Sequence, residues 1–249
     1  MKKIIPCLDT RDGQLVKGVN FVNIKELGDP VAFAKQYSDE GADELVILDI
    51  SRTSDKHNLR REMIQDVAQV INIPLTVGGG IASLEDIQEA LDAGASKVGI
   101  NSAAVKNPEF INEAAGRFGS DKITIAVDMA YDKSKNDYFV YTQGGQRQEA
   151  IEALSWCREC EQRGAGSLLI TSIDTDGAYT GFDISFLQLV SHAVNIPIIA
   201  SGGAGSIEDF IELFKETTVE SGLAASIFHK QEVSIKDLKK ALVAKGLGE

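Results

Sequence analysis

Two aspartates end apolar segments at corresponding places in the two halves of this 249-residue sequence. Asp9 follows "KIIPCL" and Asp128 follows "KITIAV". Two carboxylates that face each other in different surroundings can act as general acid and general base. We therefore take Asp9 and Asp128 as candidate catalytic residues. A strand-end aspartate can instead cap a helix or pair with a lysine, and that alternative stays open for each one alone.

Glycine clusters also occur twice. "IPLTVGGG" begins at Ile73, and "IPIIASGGAG" begins 123 residues later at Ile196. Glycine turns let backbone N–H groups approach an anion closely, and a helix N-terminus adds to the attraction. The repeat predicts two phosphate sites and hence a substrate with a phosphate at each end. The alternative is that the glycines only permit tight turns. The candidate binding residues are Gly79, Gly80, Asn101, Gly202, Gly203, Ala225 and Ser226.

The segment "TRDGQLVKGVNFVNIKELG" predicts a βα loop of about twenty residues, much longer than usual, and therefore a functional lid. It contains Lys17 among glycines. A movable cation there could bind substrate and exclude water. The alternative is a solvated surface lysine. Asp49, Asp174 and Asp176 follow other strands and could order the site without exchanging protons.

The elements that position these residues are predicted by short β-branched runs, typical of strands, that alternate with helical patterns. Capping-box spacing begins helices at Ser83 and Ser206, and Asp-Pro or Asn-Pro pairs begin others at Asp29 and Asn107. The pattern predicts a (β/α)8 barrel rather than an open sheet. Its eight strands are predicted at 3–9, 44–50, 73–77, 96–101, 122–128, 167–172, 196–201 and 222–226.

The repeat also predicts the domain organisation. "GADELVILDI" from Gly41 matches "GAGSLLITSI" from Gly164 at the same offset of 123. We expect residues 1–249 to form one barrel domain, with half-barrels at about 1–120 and 121–249 related by a pseudo-twofold axis. A duplication of this kind places like parts on opposite sides of one mouth.

Composition limits the partners. Lys plus Arg number 25 against 37 Asp plus Glu, so the net charge of −12 argues against nucleic acid as a partner. The sequence has no apolar leader and no run long enough to span a membrane, which predicts a cytoplasmic protein. An acidic surface still permits a small phosphorylated ligand, because local backbone N–H groups can hold it.

The cysteines and histidines predict neither a disulfide framework nor a metal site. Cys157 and Cys160 spell C-x-x-C inside an amphipathic helix pattern, without a second ligand pair. His57, His192 and His229 share no metal-ligand spacing. We expect no metal and no cofactor.

Several motifs together resemble one family, and the resemblance runs nearly from end to end. They are "IIPCLD", "DGQLVKGVNF", "GADELVILDI", "IPLTVGGGI", "INSAAVKNP", "IPIIASGGAG" and "LAASIFH". The family that they resemble is the cyclase subunit of imidazole glycerol phosphate synthase, of histidine biosynthesis. Its known fold is a (β/α)8 barrel with half-barrel symmetry.

The resemblance implies a reaction and a partner. A glutaminase subunit would supply ammonia through the barrel to the mouth. There it would convert the ribulosyl phosphoribosyl formimino carboxamide ribotide, a bisphosphate, into imidazole glycerol phosphate and aminoimidazole carboxamide ribotide. Asp9 and Asp128 match the catalytic aspartates, and Lys17 matches the mobile-loop lysine.

The resemblance also extends to binding and gating residues. Asp176 and Gly177 match substrate-binding positions, and Lys3, Glu44 and Lys97 match a charged ring thought to gate ammonia entry. The chain departs from the family pattern at four positions: Ala130 replaces a usual lysine, Thr175 an arginine, Ala178 a threonine and Ser167 the fourth, usually glutamate, member of the ring.

Three other functions remain open from the sequence. The sister isomerase of the same pathway shares the half-barrels, the phosphate sites and the paired acids, although "LVKGVNF" and "LAASIFH" favour the cyclase. A related subunit could feed ammonia into amidination of a surface sugar. The barrel could also be a non-catalytic scaffold that docks a glutaminase, an alternative kept open by Ala130 and Ser167.

Overall fold

The structure is a computed structural model that describes residues 2–19, 22–50 and 57–248. Strands and helices alternate along most of the chain. The strands of the barrel are β1 (Lys3–Arg11), β4 (Leu45–Asp49), β5 (Leu75–Gly78), β6 (Lys97–Ile100), β7 (Ile123–Asp132), β10 (Ser167–Ser172), β11 (Ile198–Ser201) and β12 (Ser221–Ala224).

Helices follow the barrel strands. They are α1 (Pro30–Asp39), α2 (His57–Val70), α3 (Leu84–Asp92), α4 (Ser102–Lys106), α5 (Glu109–Phe118), α6 (Ala153–Gln162), α7 (Ile184–Ala193), α8 (Ile207–Glu216), α9 (Ser226–His229) and α10 (Ile235–Ala244). A 3-10 turn at Ser120–Lys122 precedes β7.

The eight barrel strands run parallel and close on themselves. Their order is β10, β11, β12, β1, β4, β5, β6 and β7, and β10 pairs with β7 to complete the ring. This closure confirms the predicted (β/α)8 barrel. Because β1 and β7 are four strands apart in either direction, residues at their carboxyl ends face each other across the mouth.

Because side chains alternate between the two faces of each strand, the buried hydrophobic residues form two separate clusters. Ile4 and Leu8 of β1 belong to the large cluster that packs the strands against the helices. Ile5 and Cys7 belong to a separate small cluster with Val46, Leu169, Ile199 and Leu223. Since successive strand residues point to opposite faces, this small cluster fills the barrel interior. Lys3 and Asp9 share its parity and lie at the two ends of the interior column.

Three of the predicted helix starts are confirmed. Ser83 and Ser206 form full capping boxes with Asp86 and Asp209, and Asp29 caps α1 ahead of Pro30. The prediction at Asn107 is wrong in detail. Helix α5 begins at Glu109 without a side-chain cap, because Asn107 is the residue that ends the short helix α4.

The sequence predicted a long loop after β1, and this prediction is wrong. Two strands, β2 (Gln14–Val19) and β3 (Val22–Gly28), form an antiparallel hairpin that continues from β1. The turn between β1 and β2 is Asp12-Gly13, a pair typical of two-residue hairpin turns, and both residues have positive φ, of 57° and 80°. This local signal predicts a hairpin, and the length of the segment alone does not. The side chain of Lys17 lies outside the described part of the chain.

The end of β7 is also extended by antiparallel strands. The end of β7 pairs with β8 (Asp137–Thr142) as a hairpin, and β9 (Arg147–Glu152) adds a third strand. The predicted eighth strand ends earlier than expected, because Ser226 already begins helix α9. In the part of the chain that the structure describes, no helix combines the length and apolar character of a membrane span.

Candidate active site

Asp9 lies near the end of β1, at the top of the interior column. Its side chain is half-buried, and the Cys7 thiol lies 3.9 Å from its Oδ1 atom. The pKa of Asp9 is raised to about 7, mainly by burial and also by the negative charge of Asp176, while the Cys7 thiol opposes the shift. A carboxyl group with this pKa exchanges its proton near neutral pH, which suits acid or base catalysis.

Asp128 lies on β7, on the opposite side of the barrel. The side-chain amide of Asn101 donates a hydrogen bond of 2.9 Å to its Oδ2 atom. The pKa of Asp128 is raised to about 6: burial raises it most, the Asn101 hydrogen bond opposes the rise, and the charge of Asp176 adds to it. The two acids therefore differ in surroundings although their strands correspond.

Asp176 influences both acids. It follows β10, is exposed at the mouth, and accepts a hydrogen bond from the backbone of Gly177. Desolvation raises the pKa of Asp176, and the Gly177 N–H works against that rise. From the sequence Asp176 was only a binding candidate. Its electrostatic effect on Asp9 and Asp128 depends on tertiary distances that no motif carries.

The two glycine turns have the same local geometry. Gly79 and Gly202 have φ of 85° and 89°, in the left-handed region. A Cβ on Gly79 would collide with the carbonyl oxygen of Asp49, and a Cβ on Gly202 would stand 2.6 Å from that of Ser172. Asp49 and Ser172 are themselves 123 residues apart, so the same backbone approach occurs in both halves.

The second glycine of each turn has a different neighbour. A Cβ on Gly203 would collide with the carbonyl oxygen of Gly181, whereas a Cβ on Gly80 would lie 3.4 Å from Nη1 of Arg60. Arg60 also donates from Nη1 to the Gly79 carbonyl oxygen at 3.0 Å. Sequence reasoning missed Arg60, because a single arginine in a polar helix start carries no signal.

Short helices begin beside each turn, one strand further round the barrel. Asn101 precedes α4 and Ala225 precedes α9, with Ser226 as the first residue of α9. Asn101 bonds to Asp128, and its Oδ1 atom is buried without a hydrogen-bond partner among the described residues. The structure thus places this phosphate-binding candidate in direct contact with a candidate catalytic acid.

The three predicted ring residues meet at the opposite end of the barrel. Glu44 is 3% exposed, and its two oxygens accept from Lys3 Nζ at 2.7 Å and Lys97 Nζ at 3.1 Å. Burial works to raise the pKa of Glu44, but the two ammonium groups together lower it. Ser167 does not join the ion pairs and shares a buried 2.8 Å hydrogen bond with Thr124.

The other three departures lie on the far part of β7 and in the segment after β10. Ala130 is buried, and Ala178 is exposed. The Thr175 hydroxyl donates to the Gly202 carbonyl oxygen at 3.2 Å and so ties the loop after β10 to the second glycine turn.

The remaining cysteines and histidines lie apart from these residues. Burial raises the pKa of the Cys157 thiol to about 12 and also raises that of Cys160, so neither thiol is reactive. His192 contacts the Gln188 carbonyl oxygen, and His229 contacts the Tyr37 hydroxyl. The side chain of His57 lies outside the described residues. No group of three potential metal ligands occurs in the described ranges.

Comparisons with known proteins show the family to which the chain belongs. The family described as "Histidine biosynthesis protein" matches residues 3–234. The imidazole glycerol phosphate synthase subunit HisF of Staphylococcus saprophyticus is 50% identical over 246 residues, covering 99% of this chain and 98% of that protein. The proteins of the same name from Lactiplantibacillus plantarum and Sulfolobus acidocaldarius are 48% and 49% identical over 246 residues, covering 99% of this chain and 98% and 97% of theirs.

Proposed function

Because this chain belongs to the histidine biosynthesis protein family, we propose that it is the cyclase subunit of imidazole glycerol phosphate synthase. It uses ammonia to convert the ribulosyl phosphoribosyl formimino carboxamide ribotide into imidazole glycerol phosphate and aminoimidazole carboxamide ribotide. The observation that carries the catalytic part is the placement of Asp9 and Asp128 on opposite barrel strands, with raised pKa values of about 7 and about 6.

The two acids divide the proton transfers of the reaction between them. Ring closure and cleavage of the substrate require a proton to be removed at one atom and delivered at another. The pKa values of Asp9 and Asp128 are both raised toward neutral pH, so each carboxyl group can give or take a proton there. The pair therefore offers a donor and an acceptor on opposite sides of the bound substrate.

The repeated glycine turns hold the two ends of the substrate. Residues 1–249 act as one barrel domain, with halves at about 1–120 and 121–249 that each contribute one phosphate site. Gly79, Gly80 and the start of α4 form the first site, and Gly177, Gly202, Gly203 and the start of α9 form the second. The backbone geometry shared by Gly79 and Gly202 supports this assignment.

Ammonia enters from the other end of the barrel. The relatives are named as subunits, which supports a partner. We assign this role to a glutaminase subunit, docked at the end where Glu44 bridges Lys3 and Lys97. The apolar column around Ile5 and Leu169 lies between this ring and the acids, and it suits a small neutral molecule better than an ion. The cytoplasm as the site of action is part of the same proposal.

Turnover with ammonium salts at alkaline pH, without any partner, tests the function. We expect the purified chain to consume the ribulosyl bisphosphate, and Asp9→Asn and Asp128→Asn to lower kcat by about 10²- to 10⁴-fold. Asp66→Asn removes a carboxylate from an exposed position of α2 and should retain full activity. Isomerisation of the preceding intermediate would identify the sister enzyme instead, and no turnover of either compound would leave a docking scaffold.

A further inference from the structure

Arg60 is a buried cation without a carboxylate partner among the described residues. It is 8% exposed, and its Nη1 atom donates a 3.0 Å hydrogen bond to the Gly79 carbonyl oxygen. In the described ranges, Arg60 takes part in no ion pair. A carbonyl group satisfies one donor but does not neutralise the charge.

Burying a charge is costly, and the described residues place no counter-charge beside Arg60, so the position requires a reason. Nη1 of Arg60 bonds to the Gly79 carbonyl oxygen, and the guanidinium group carries further N–H donors beyond this one bond. A guanidinium group in that position presents a fork that matches phosphate oxygens.

The position of Arg60 in the fold places this fork at the mouth. It lies in the first turn of α2, and α2 begins on the side where the barrel strands end. A Cβ on Gly80 would lie 3.4 Å from Arg60 Nη1, so the guanidinium is packed directly against the first glycine turn.

The second half of the barrel has no such cation at the corresponding place. Helices α2 and α7 end at Val70 and Ala193, which are 123 residues apart, and the same offset relates Arg60 to Asp183. Asp183 caps α7 by accepting from the Phe186 backbone N–H at 3.1 Å. The two glycine turns have the same backbone conformation, but the corresponding residues of α2 and α7 are Arg60 in the first half and Asp183 in the second.

We propose that Arg60 binds the substrate phosphate held at the first glycine turn, and that it makes the two phosphate sites electrostatically unequal. This inference rests on the proposed function, because it deepens the assignment of the bisphosphate to the two turns. The substrate ends then have different affinities for the two sites, which fixes the direction in which the substrate binds.

The two products test this inference, because each carries the phosphate of one substrate end. We would measure inhibition of the ammonia-dependent reaction by imidazole glycerol phosphate and by aminoimidazole carboxamide ribotide. Arg60→Met should raise the inhibition constant of one product about 10-fold or more and leave the other within about 2-fold. Equal weakening of both products, or of neither, would overturn the proposal.

Arg61→Met is the matched control, because Arg61 is the next residue of α2 and is exposed. It should leave both inhibition constants unchanged. If Arg60→Met does not fold, Arg60→Lys is measured instead: it keeps the charge but loses the fork, so the same single product should bind about 3-fold or more weakly. Unchanged constants for both products in Arg60→Lys would contradict the assignment.

A binding measurement separates this inference from the proposed function. Inorganic phosphate should raise the thermal unfolding temperature of the wild type and of Arg61→Met by more than that of the Arg60 variant. This comparison needs no turnover. A wild type that turns over no bisphosphate would refute the function, whereas equal phosphate stabilisation in all three proteins would refute the role of Arg60.

Discussion

The side-chain amide of Asn101 donates a 2.9 Å hydrogen bond to Asp128, and the half-barrel repeat does not provide the same donor to Asp9. Ala225 stands before α9, where Asn101 stands before α4. Asp9 has instead the weaker thiol contact of Cys7. The two halves therefore share a backbone plan while the hydrogen-bond donors at their acids differ.

Replacing Asn101 should shift the pH dependence of the reaction. The Asn101 N–H favours the ionised form of Asp128, so Asn101→Ala should raise the pKa of Asp128 above its value of about 6. A hydrogen bond to a charged group is worth about 1.5 kcal/mol, or roughly one pH unit. The measurement is kcat against pH from about 5 to 9 at constant free ammonia, comparing the limb governed by Asp128.

Asn107→Ala is the control for this profile, because Asn107 is exposed and makes no side-chain cap. Asp176 is unchanged in both variants, so its charge cannot account for a difference between them. A profile identical to that of the wild type would show that the Asn101 hydrogen bond does not tune Asp128.

Asp9 should make the protein less stable above about pH 7 than at pH 4. Its pKa is raised to about 7 in the folded state, against about 3.9 in an unfolded chain. The folded state thus loses stability as pH rises through the window from about 4 to about 7, and the full cost is present above it. Asp9→Asn removes that cost, so its unfolding temperature should exceed that of the wild type by at least about 3 °C at pH 8 and by little at pH 4.

Thermal unfolding of the wild type, Asp9→Asn and the exposed control Asp66→Asn at both pH values measures this difference. The control should follow the wild type throughout. A gain for Asp9→Asn of equal size at pH 4 and pH 8 would mean that the carboxyl group is not the source of the cost.

Alanine at either glycine turn should damage both halves in the same way. In Gly79→Ala and Gly202→Ala, the new Cβ would meet the carbonyl oxygen of Asp49 or Ser172, and each residue has positive φ. We expect a loss of about 2 kcal/mol or more in the free energy of unfolding and a higher KM for the bisphosphate. Denaturant unfolding and steady-state kinetics give both values.

Gly116→Ala provides the comparison for the two turns. Gly116 lies in α5, and a Cβ there would meet nothing within 4 Å. Alanine should leave activity unchanged and stabilise the helix by up to about 1 kcal/mol. Retention of wild-type KM and stability in Gly79→Ala would contradict the tight backbone approach at the first turn.

The sequence by itself determined the barrel, its capping boxes and the glycine turns. These features depend on residues that are neighbours in the chain: Ser83 lies three residues before Asp86, and the turn glycines follow their strands directly. Hydrophobic periodicity and capping are local, so their signal survives without knowledge of the fold.

Only the tertiary structure decided which groups surround the acids and the turns. Asn101 and Asp128 are brought together by the pairing of β6 with β7, and Arg60 of α2 reaches the Gly79 carbonyl oxygen just after β5. These contacts depend on strand register and barrel closure. Both are properties of the whole chain, because each strand's position is fixed by its two neighbours in the ring.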